Sequence, residues 1–367
     1  MAKKKNDKFK DDPVCNQIVN KWGDLIQEGN KVLEDLSNHK IIPVSPALDI
    51  ALGGGIREGN VVIMTGDPKT GKTVTALSFA AQAQKYGKKV FYFDVEGRLS
   101  KHHLDAIKGL DPDGVKIIGT SESKPVISAE EYLNTLETLI KQQDDLVTIV
   151  DSTSNMLPQD ELDGEIRTGI RNALPRLLAQ FFKRISGDVA RRGAICIFIT
   201  HNIANTGGSR FSPNKMSDGG NMLQYQAGTN MVITHRGKWE SSSGNDVGQV
   251  AHWKIKTSAA GGIPNSLADS WIKYGVGIDH VQEIAQIASE LSLIKKAGAW
   301  YTVTTGVNNV DNPIIKNILT KNDVKDDTES IEKFFKFQGM QNLTEFLENN
   351  QEVCDFIYEE VKDMMLE

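Results

Sequence analysis

The sequence predicts an α/β fold built on a mostly parallel sheet. Three observations carry this expectation. From residue 61 onward, apolar runs of strand length alternate with longer helical patterns, as strand–helix–strand units do. The runs "VVIM", "KVFYF", "LVTIV" and "AICIFI" are apolar but for Lys89 and Thr148, as strands buried on both faces must nearly be. The first run leads into "GDPKTGKT", residues 66–73, and then into a helical pattern. A glycine-bearing turn between strand and helix is a phosphate-cradling device.

Length and composition bound the rest. With 367 residues and 39% hydrophobic content, the chain can bury one large core and a smaller one. Cys15, Cys196 and Cys354 lie far apart, without metal-ligand spacing and odd in number. This argues against a disulfide framework and for a reducing cytoplasm, the host's if the chain is phage-encoded. No apolar run is long enough to span a membrane, and "MAKKKNDKFK" has no apolar stretch behind it, so no membrane association or secretory signal is expected. The net charge of -6 is uneven: twelve acids against three lysines put residues 326–367 at -9 and leave +3 on the remainder. An acidic end beside a mildly basic body suits a polyanion ligand modulated by that end; a solvated helix is the plain alternative.

Taken in order, residues 1–45 are polar and basic, then helical, with Ile18, Trp22, Leu25 and Ile26 on one face. "PVSPALDIALGGGIREGN" is a turn-rich entry to a core spanning 46–275. There "VVIMTG" enters the phosphate loop and "KTVTALSFAAQAQKYG" is a helix stopped by Gly87. "KVFYFDVE", "LVTIVDS" and "AICIFITH" are further strands, and "NMVITHR" with "VAHWKIK" read as an antiparallel extension. Residues 276–367 turn helical, with Val281, Ile284, Ile287, Ala288 and Leu291 at helical spacing, and form a small C-terminal domain with the acidic helical end. The stretch 202–222, rich in Gly, Ser and Asn, is long for a loop in a compact domain and reads as functional.

The chemistry gathers around the loop. Gly66 and Gly71 let backbone amides approach phosphate oxygens, and Asp67, Pro68, Lys69, Thr70 and Val74 complete the cradle. Lys72 supplies a positive charge and Thr73 a hydroxyl for Mg²⁺. Asp151 ends an apolar strand, where a carboxylate can hold a magnesium shell. Asp94 and Glu96 stand at the carboxyl end of another strand, where ligands bind in open sheets. One of them is placed to orient a water.

The ordered set "SPALDIALGGGI", "GDPKTGKT", "FDVEGRL", "VDSTSNMLPQDELDGEI", "FITHN", "DGGNMLQY", "WKIKTSAA", "YGVGID" and "LIKKAGAWYTV" resembles the RecA family of homologous-recombination ATPases, including its phage UvsX type, over about residues 41–305. The resemblance implies a RecA-like P-loop ATPase core, an N-terminal polymerisation helix and a small C-terminal α/β domain. It makes Glu96 the water-positioning carboxylate, Asp151 the magnesium-side acid and His201 the γ-phosphate sensor, where typical bacterial members carry Gln. Lys254 and Lys256, two apart on a strand and so on one face, would reach ATP held by a neighbouring subunit. His103, with His102 beside it, takes the adenine-stacking position usually held by Tyr. The expected cofactors are ATP and Mg²⁺.

The resemblance also makes 158–166 a first DNA loop and 202–220 a second, with "DGGN" supplying Gly219, Gly220 and Asn221. Ile203 and Ala204 lead into the second loop. Arg210 and Lys215 flank Phe211, and an aromatic between cations can stack on bases. Arg167, Arg171 and Arg176 are spaced to meet successive phosphates from a helix. The function implied is an ATP-dependent strand-exchange recombinase that forms helical filaments on single-stranded DNA and pairs it with homologous double-stranded DNA. Single-strand-binding and loader proteins are further expected partners. A hexameric helicase motor and a non-catalytic, ATP-gated DNA-binding regulator are the rivals.

Overall fold

The computed structural model of the chain describes residues 12–22, 29, 37–164, 173–204, 215–217, 225–241 and 244–366. The chain divides into two units, Met1–Lys40 and Ile41–Glu367. In the first, helix α1 (Pro13–Trp22) starts on Asp12, whose Oδ1 accepts the amides of Val14 and Cys15 at 2.8 and 3.1 Å. No residue of α1 is buried, and Val14 and Trp22 are 64% and 63% exposed. Leu25 and Ile26 lie outside the described residues.

The second unit is organised by a ten-stranded sheet. Its strands in chain order are β1 (Asn60–Gly66), β2 (Lys89–Asp94), β3 (Val115–Ile118), β4 (Leu146–Asp151) and β5 (Ile195–Ala204). There follow β6 (Lys215–Ser217), β7 (Thr229–Glu240), β8 (Asp246–Thr257), β9 (Ser266–Lys273) and β10 (Gly277–Ile278). The spatial order is β10-β9-β8-β7-β1-β5-β4-β2-β3, with β6 paired to β5. Strands β7, β1, β5, β4, β2 and β3 run parallel. Strands β8, β9 and β10 extend the sheet antiparallel from β7, as the alternation in "NMVITHR" and "VAHWKIK" predicts.

Every residue of β1 is buried, which explains its unbroken apolar run. Alternate residues face opposite sides. Val62 and Met64 join a core with Leu77 and Phe79 of helix α3 (Lys72–Lys85). Val61 and Ile63 join a second core with α5 (Ala129–Gln142) and α6 (Ala173–Arg192), through Leu136, Phe182 and Ile185. Two short helices matter for the site: α2 (Pro46–Leu52) and α4 (Lys101–Asp105).

Beyond β10 a third core forms around α7 (His280–Glu290) and α8 (Gln351–Leu366). A small antiparallel sheet, Ile294–Ala297, Trp300–Val303 and Lys336–Gln338, lies in this part of the chain. Its first two strands are the "IKKAGAWYTV" hairpin, turned at Gly298–Ala299. The α/β character that the resemblance implied for this part is present, while the periodicity after 276 showed helices alone: these strands are only three or four residues long, too short to show a period. The acidic end packs as well. Leu343, Leu347, Val353, Cys354, Ile357 and Val361 are buried in the third core, while Glu352, Asp355, Glu359 and Asp363 point outward. Among the described residues no helix is long and apolar enough to cross a membrane.

Candidate nucleotide site

Parallel pairing brings four chain segments to one level. Gly66 pairs with His201, and Asp94 with Asp151. All four stand at the carboxyl ends of adjacent strands, where loops open onto a common crevice. The loop 66–73 spans from β1 to α3. Gly71 sits at φ 112°, and a Cβ there would stand 2.3 Å from Ile272 Cδ1, so only glycine fits. Thr70 Oγ1 donates to Asp67 O at 2.8 Å and braces the turn. A cavity of about 720 Å³ opens over it, lined by Pro68, Lys69, Thr70, Gly71, Lys72, Thr73 and Val74 together with Glu96, His103, Asp151 and His201.

Lys72 is 4% exposed, and its Nζ donates to Gly66 O at 2.9 Å and Asp67 O at 2.8 Å. Burial pushes its pKa down to about 8 against the pull of Asp151, Glu96 and Asp67. Beside it, Thr73 Oγ1 donates to Asp151 Oδ2 at 2.6 Å, and Tyr92 OH donates to the same oxygen at 2.7 Å. Burial raises the Asp151 pKa, although both hydrogen bonds oppose the rise.

Glu96 is held from three sides. Its Oε1 accepts from Ser152 Oγ at 3.0 Å and lies 2.8 Å from His201 Nε2, while Arg98 Nη1 stands 3.1 Å from Oε2. Burial works against its charge, but the bonds from His201 and Ser152 and the charges of His201 and Arg98 outweigh it, leaving the pKa below the ordinary glutamate value. An ionised Glu96 accepts, so His201 Nε2 carries the hydrogen. His201 Nδ1 is buried with no hydrogen-bond partner among the described residues, as a group awaiting a ligand would be. Asp94 is engaged elsewhere: its two carboxylate oxygens accept the amides of Arg98 and Leu99 at 3.1 Å each. Of the two acids in "FDVE", Glu96 is the one that meets His201.

The remaining predicted positions fall as follows. His103 lines the cavity, and its Nδ1 accepts the Ser100 amide at 3.2 Å, closing the first turn of α4. Lys254 and Lys256 lie on β8 at alternate positions, more exposed than the buried Trp253 and Ile255 that alternate with them, and neither lines the cavity of its own chain. Arg176 is exposed on α6. Ile203 and Ala204 end β5, where they pair antiparallel with Met216 and Lys215 of β6. Arg167, Arg171, Arg210, Phe211, Gly219, Gly220 and Asn221 lie outside the described residues.

Sequence reasoning missed Tyr92, Ser152, Arg98 and Asn202. Asn202 Nδ2 donates to Asp67 Oδ1 at 3.2 Å and so links the phosphate loop to the strand that enters the hairpin of β5 and β6. It also missed Tyr274, which lines the cavity beside His102 and His103. Tyr92 had a legible signal, since it shares a strand face with Asp94, and Arg98 stands two residues from Glu96; Ser152 and Asn202 depend on contacts far apart in sequence.

A family model, the RecA N-terminal domain, matches residues 15–279. Among curated proteins the chain is similar to Protein RecA of Lactobacillus johnsonii, 28% identical over 94% of this chain and 84% of that one. It is similar also to Protein RecA of Lactobacillus delbrueckii subsp. bulgaricus, 30% identical over 76% and 81%, and to that of Cytophaga hutchinsonii, 29% identical over 70% of each. The family match covers the strands, the phosphate loop and the Glu96–His201 contact alike, and the chain belongs to the RecA family.

Proposed function

We propose that this chain forms helical filaments on single-stranded DNA and pairs that strand with homologous duplex. As a RecA-family protein it is a DNA-dependent ATPase of recombination and repair that uses ATP with Mg²⁺. The observation that carries the finer reading is the Glu96–His201 contact. His201 touches the water-orienting carboxylate and directly precedes the backbone that pairs with β6. A shift of one therefore reaches the other.

The residues divide the work. Amides of the loop 66–73 and Lys72 hold the triphosphate. The Thr73 hydroxyl and the Asp151 carboxylate form a hard-oxygen pair 2.6 Å apart, which suits Mg²⁺ because that ion keeps water and takes phosphate oxygens besides. When bound, Mg²⁺ neutralises charge on the phosphate oxygens. Glu96, ionised at neutral pH, orients the attacking water, and His201 senses the γ-phosphate by exchanging its carboxylate partner for a phosphate oxygen. His103 and Tyr274 flank the base. Lys254, half-buried, and Lys256, exposed, share one face of β8, which supports a role at the neighbour's ATP. The exposed Val14, Ile18 and Trp22 of α1, one turn apart, support head-to-tail assembly. Arg176 and the hairpin following His201 belong to the DNA surface, with residues 46–275 as core and 276–367 as C-terminal domain. His201 in place of Gln favours the phage UvsX type. Loader and single-strand-binding proteins are the natural partners of such a filament.

Two measurements test this. Phosphate release is expected to rise on adding single-stranded DNA, and a homologous duplex is expected to exchange strands with it in ATP. Equal turnover with and without DNA refutes the coupling. Closed rings that unwind duplex without exchange favour the helicase.

A further inference from the structure

A second cavity, of about 280 Å³, lies where the end of α3, the turn at 108–109, the β9–β10 connection and the start of α7 meet. It has Lys273 in common with the nucleotide cavity. Three lysines reach it from three elements: Lys85 on α3, Lys108 in the turn and Lys273 at the end of β9. Two acids line it. Asp279 is engaged as the cap of α7, accepting the Gln282 amide at 3.0 Å and standing 3.8 Å from Lys273. Glu348 is exposed. The Lys85 ammonium donates to the neutral Gln82 Oε1 at 3.2 Å.

Two further observations point to a ligand. Ser78, 6% exposed, borders this cavity and its Oγ has no hydrogen-bond partner among the described residues, and a buried hydroxyl in that condition calls for one. His280, the first residue of α7, is pushed down to about 4 by burial and by the charges of Lys85 and Lys108. It is therefore a neutral imidazole in a positive field, beside the amides of an eleven-residue helix N-terminus. The volume falls below the range of about 300–1,000 Å³ common for drug-sized ligands, so a small anion fits where a whole nucleotide does not.

We propose that this cavity binds a small phosphate-type oxyanion, held by Lys85, Lys108, Lys273 and the Ser78 hydroxyl. The two cavities are neighbours along α3, whose Val74 and Leu77 line the nucleotide cavity and whose Ser78 lines this one. Val276 O accepts the Lys108 amide at 3.0 Å, and Gly277 lines the nucleotide cavity while a Cβ on it would stand 3.4 Å from Ser78 Oγ. Drawing Lys273 toward an anion shifts the wall that carries Tyr274 and Gly275.

The test uses the full chain with ADP saturating the nucleotide cavity. Pyrophosphate is titrated while the His280 imidazole is followed by NMR. A saturable change in the His280 ring chemical shifts is expected, because an anion held by Lys85 and Lys108 alters the field at the neighbouring imidazole. The apparent Kd is expected to weaken at least ten-fold in Lys85→Ser/Lys108→Ser and several-fold in Ser78→Ala, and to stay near wild type in Lys108→Arg. Lys85 and Lys108 are exposed, so the double variant keeps the fold, which circular dichroism checks. The proposal is overturned if His280 does not respond, if the double variant binds as the wild type does, or if Lys72→Ala alone abolishes binding. It is overturned equally if a short DNA duplex, and not pyrophosphate, produces the shift.

Discussion

Glu283 provides a pH prediction that can be worked from contacts. Its Oε2 accepts the Ala47 amide of α2 at 3.0 Å and its Oε1 the Trp271 amide at 3.3 Å. Nearby, Asp49 Oδ1 accepts the Val44 amide at 2.6 Å and Oδ2 accepts from Tyr358 OH at 3.3 Å. Glu283 is 0% and Asp49 4% exposed. Burial, partly offset by these hydrogen bonds, pushes each to about 8, and the Asp49 charge adds to the rise at Glu283. Both therefore hold a proton when folded that they lose when unfolded near pH 4. The stability they contribute is full below that value and is lost as pH rises toward 8.

Two groups act in the opposite sense. His280, pushed down to about 4, raises stability as pH rises to about 6.5. Lys72, pushed down to about 8, does so above pH 8. In the window 6.5–7.5 each retained carboxyl proton contributes a slope of up to about 1.4 kcal/mol per pH unit, and the tails of the His280 and Lys72 titrations are common to the wild type and a Glu283 variant, so the difference between the two proteins isolates Glu283. Glu283→Gln removes one, so the decline flattens by up to about 1.4 kcal/mol per pH unit. The amide also leaves one buried N–H without an acceptor, which costs about 1–3 kcal/mol at every pH. Urea unfolding of both proteins at pH 6.5, 7.0 and 7.5 measures slope and offset. An unchanged slope would refute the protonated-carboxyl argument, whatever the offset.

Three further predictions concern activity. Glu96→Gln is expected to keep ATP and DNA binding and lose turnover by about 10²–10⁴-fold; loss of nucleotide binding in equilibrium dialysis would make the residue structural. Lys72→Ala and the pair Lys254→Ala/Lys256→Ala are each expected to be nearly inactive, yet to regain DNA-dependent ATPase on mixing, because roughly a quarter of randomly formed head-to-tail interfaces join two intact halves. No recovery, with co-assembly verified by labelled subunits, would mean that the lysines act within their own subunit. Cutting the chain after Gln351 is not a clean probe of the acidic end, since it removes Val353, Cys354, Ile357 and Val361 from a core. Neutralising the exposed Glu352, Asp355 and Asp363 instead is expected to tighten single-stranded DNA binding, most at low salt; identical affinities across a salt series would leave the helix merely solvated.

The loop 66–73, its strand and its helix were legible because their signals are local: an apolar run, a glycine spacing and a helical period within about twenty-five residues. The same holds for Asp151 at a strand end and for the antiparallel pair "NMVITHR" and "VAHWKIK". Which side chains would touch was not legible, since that depends on strand order. Glu96 meets His201 across 105 positions, Asn202 reaches Asp67 across 135, and Tyr358 reaches Asp49 across 309. Parallel pairing brings the carboxyl ends of distant strands to one edge, but no local period records which strands become neighbours. The acidic end shows the converse. Its charge is plain in the sequence, whereas its buried face is interrupted by a helix break at Asn350, so the core it completes is defined only by what packs against it. The second cavity belongs wholly to tertiary structure: Ser78, Lys108, Lys273 and His280 carry no common motif and converge because β10 packs on α3 and leads directly into α7.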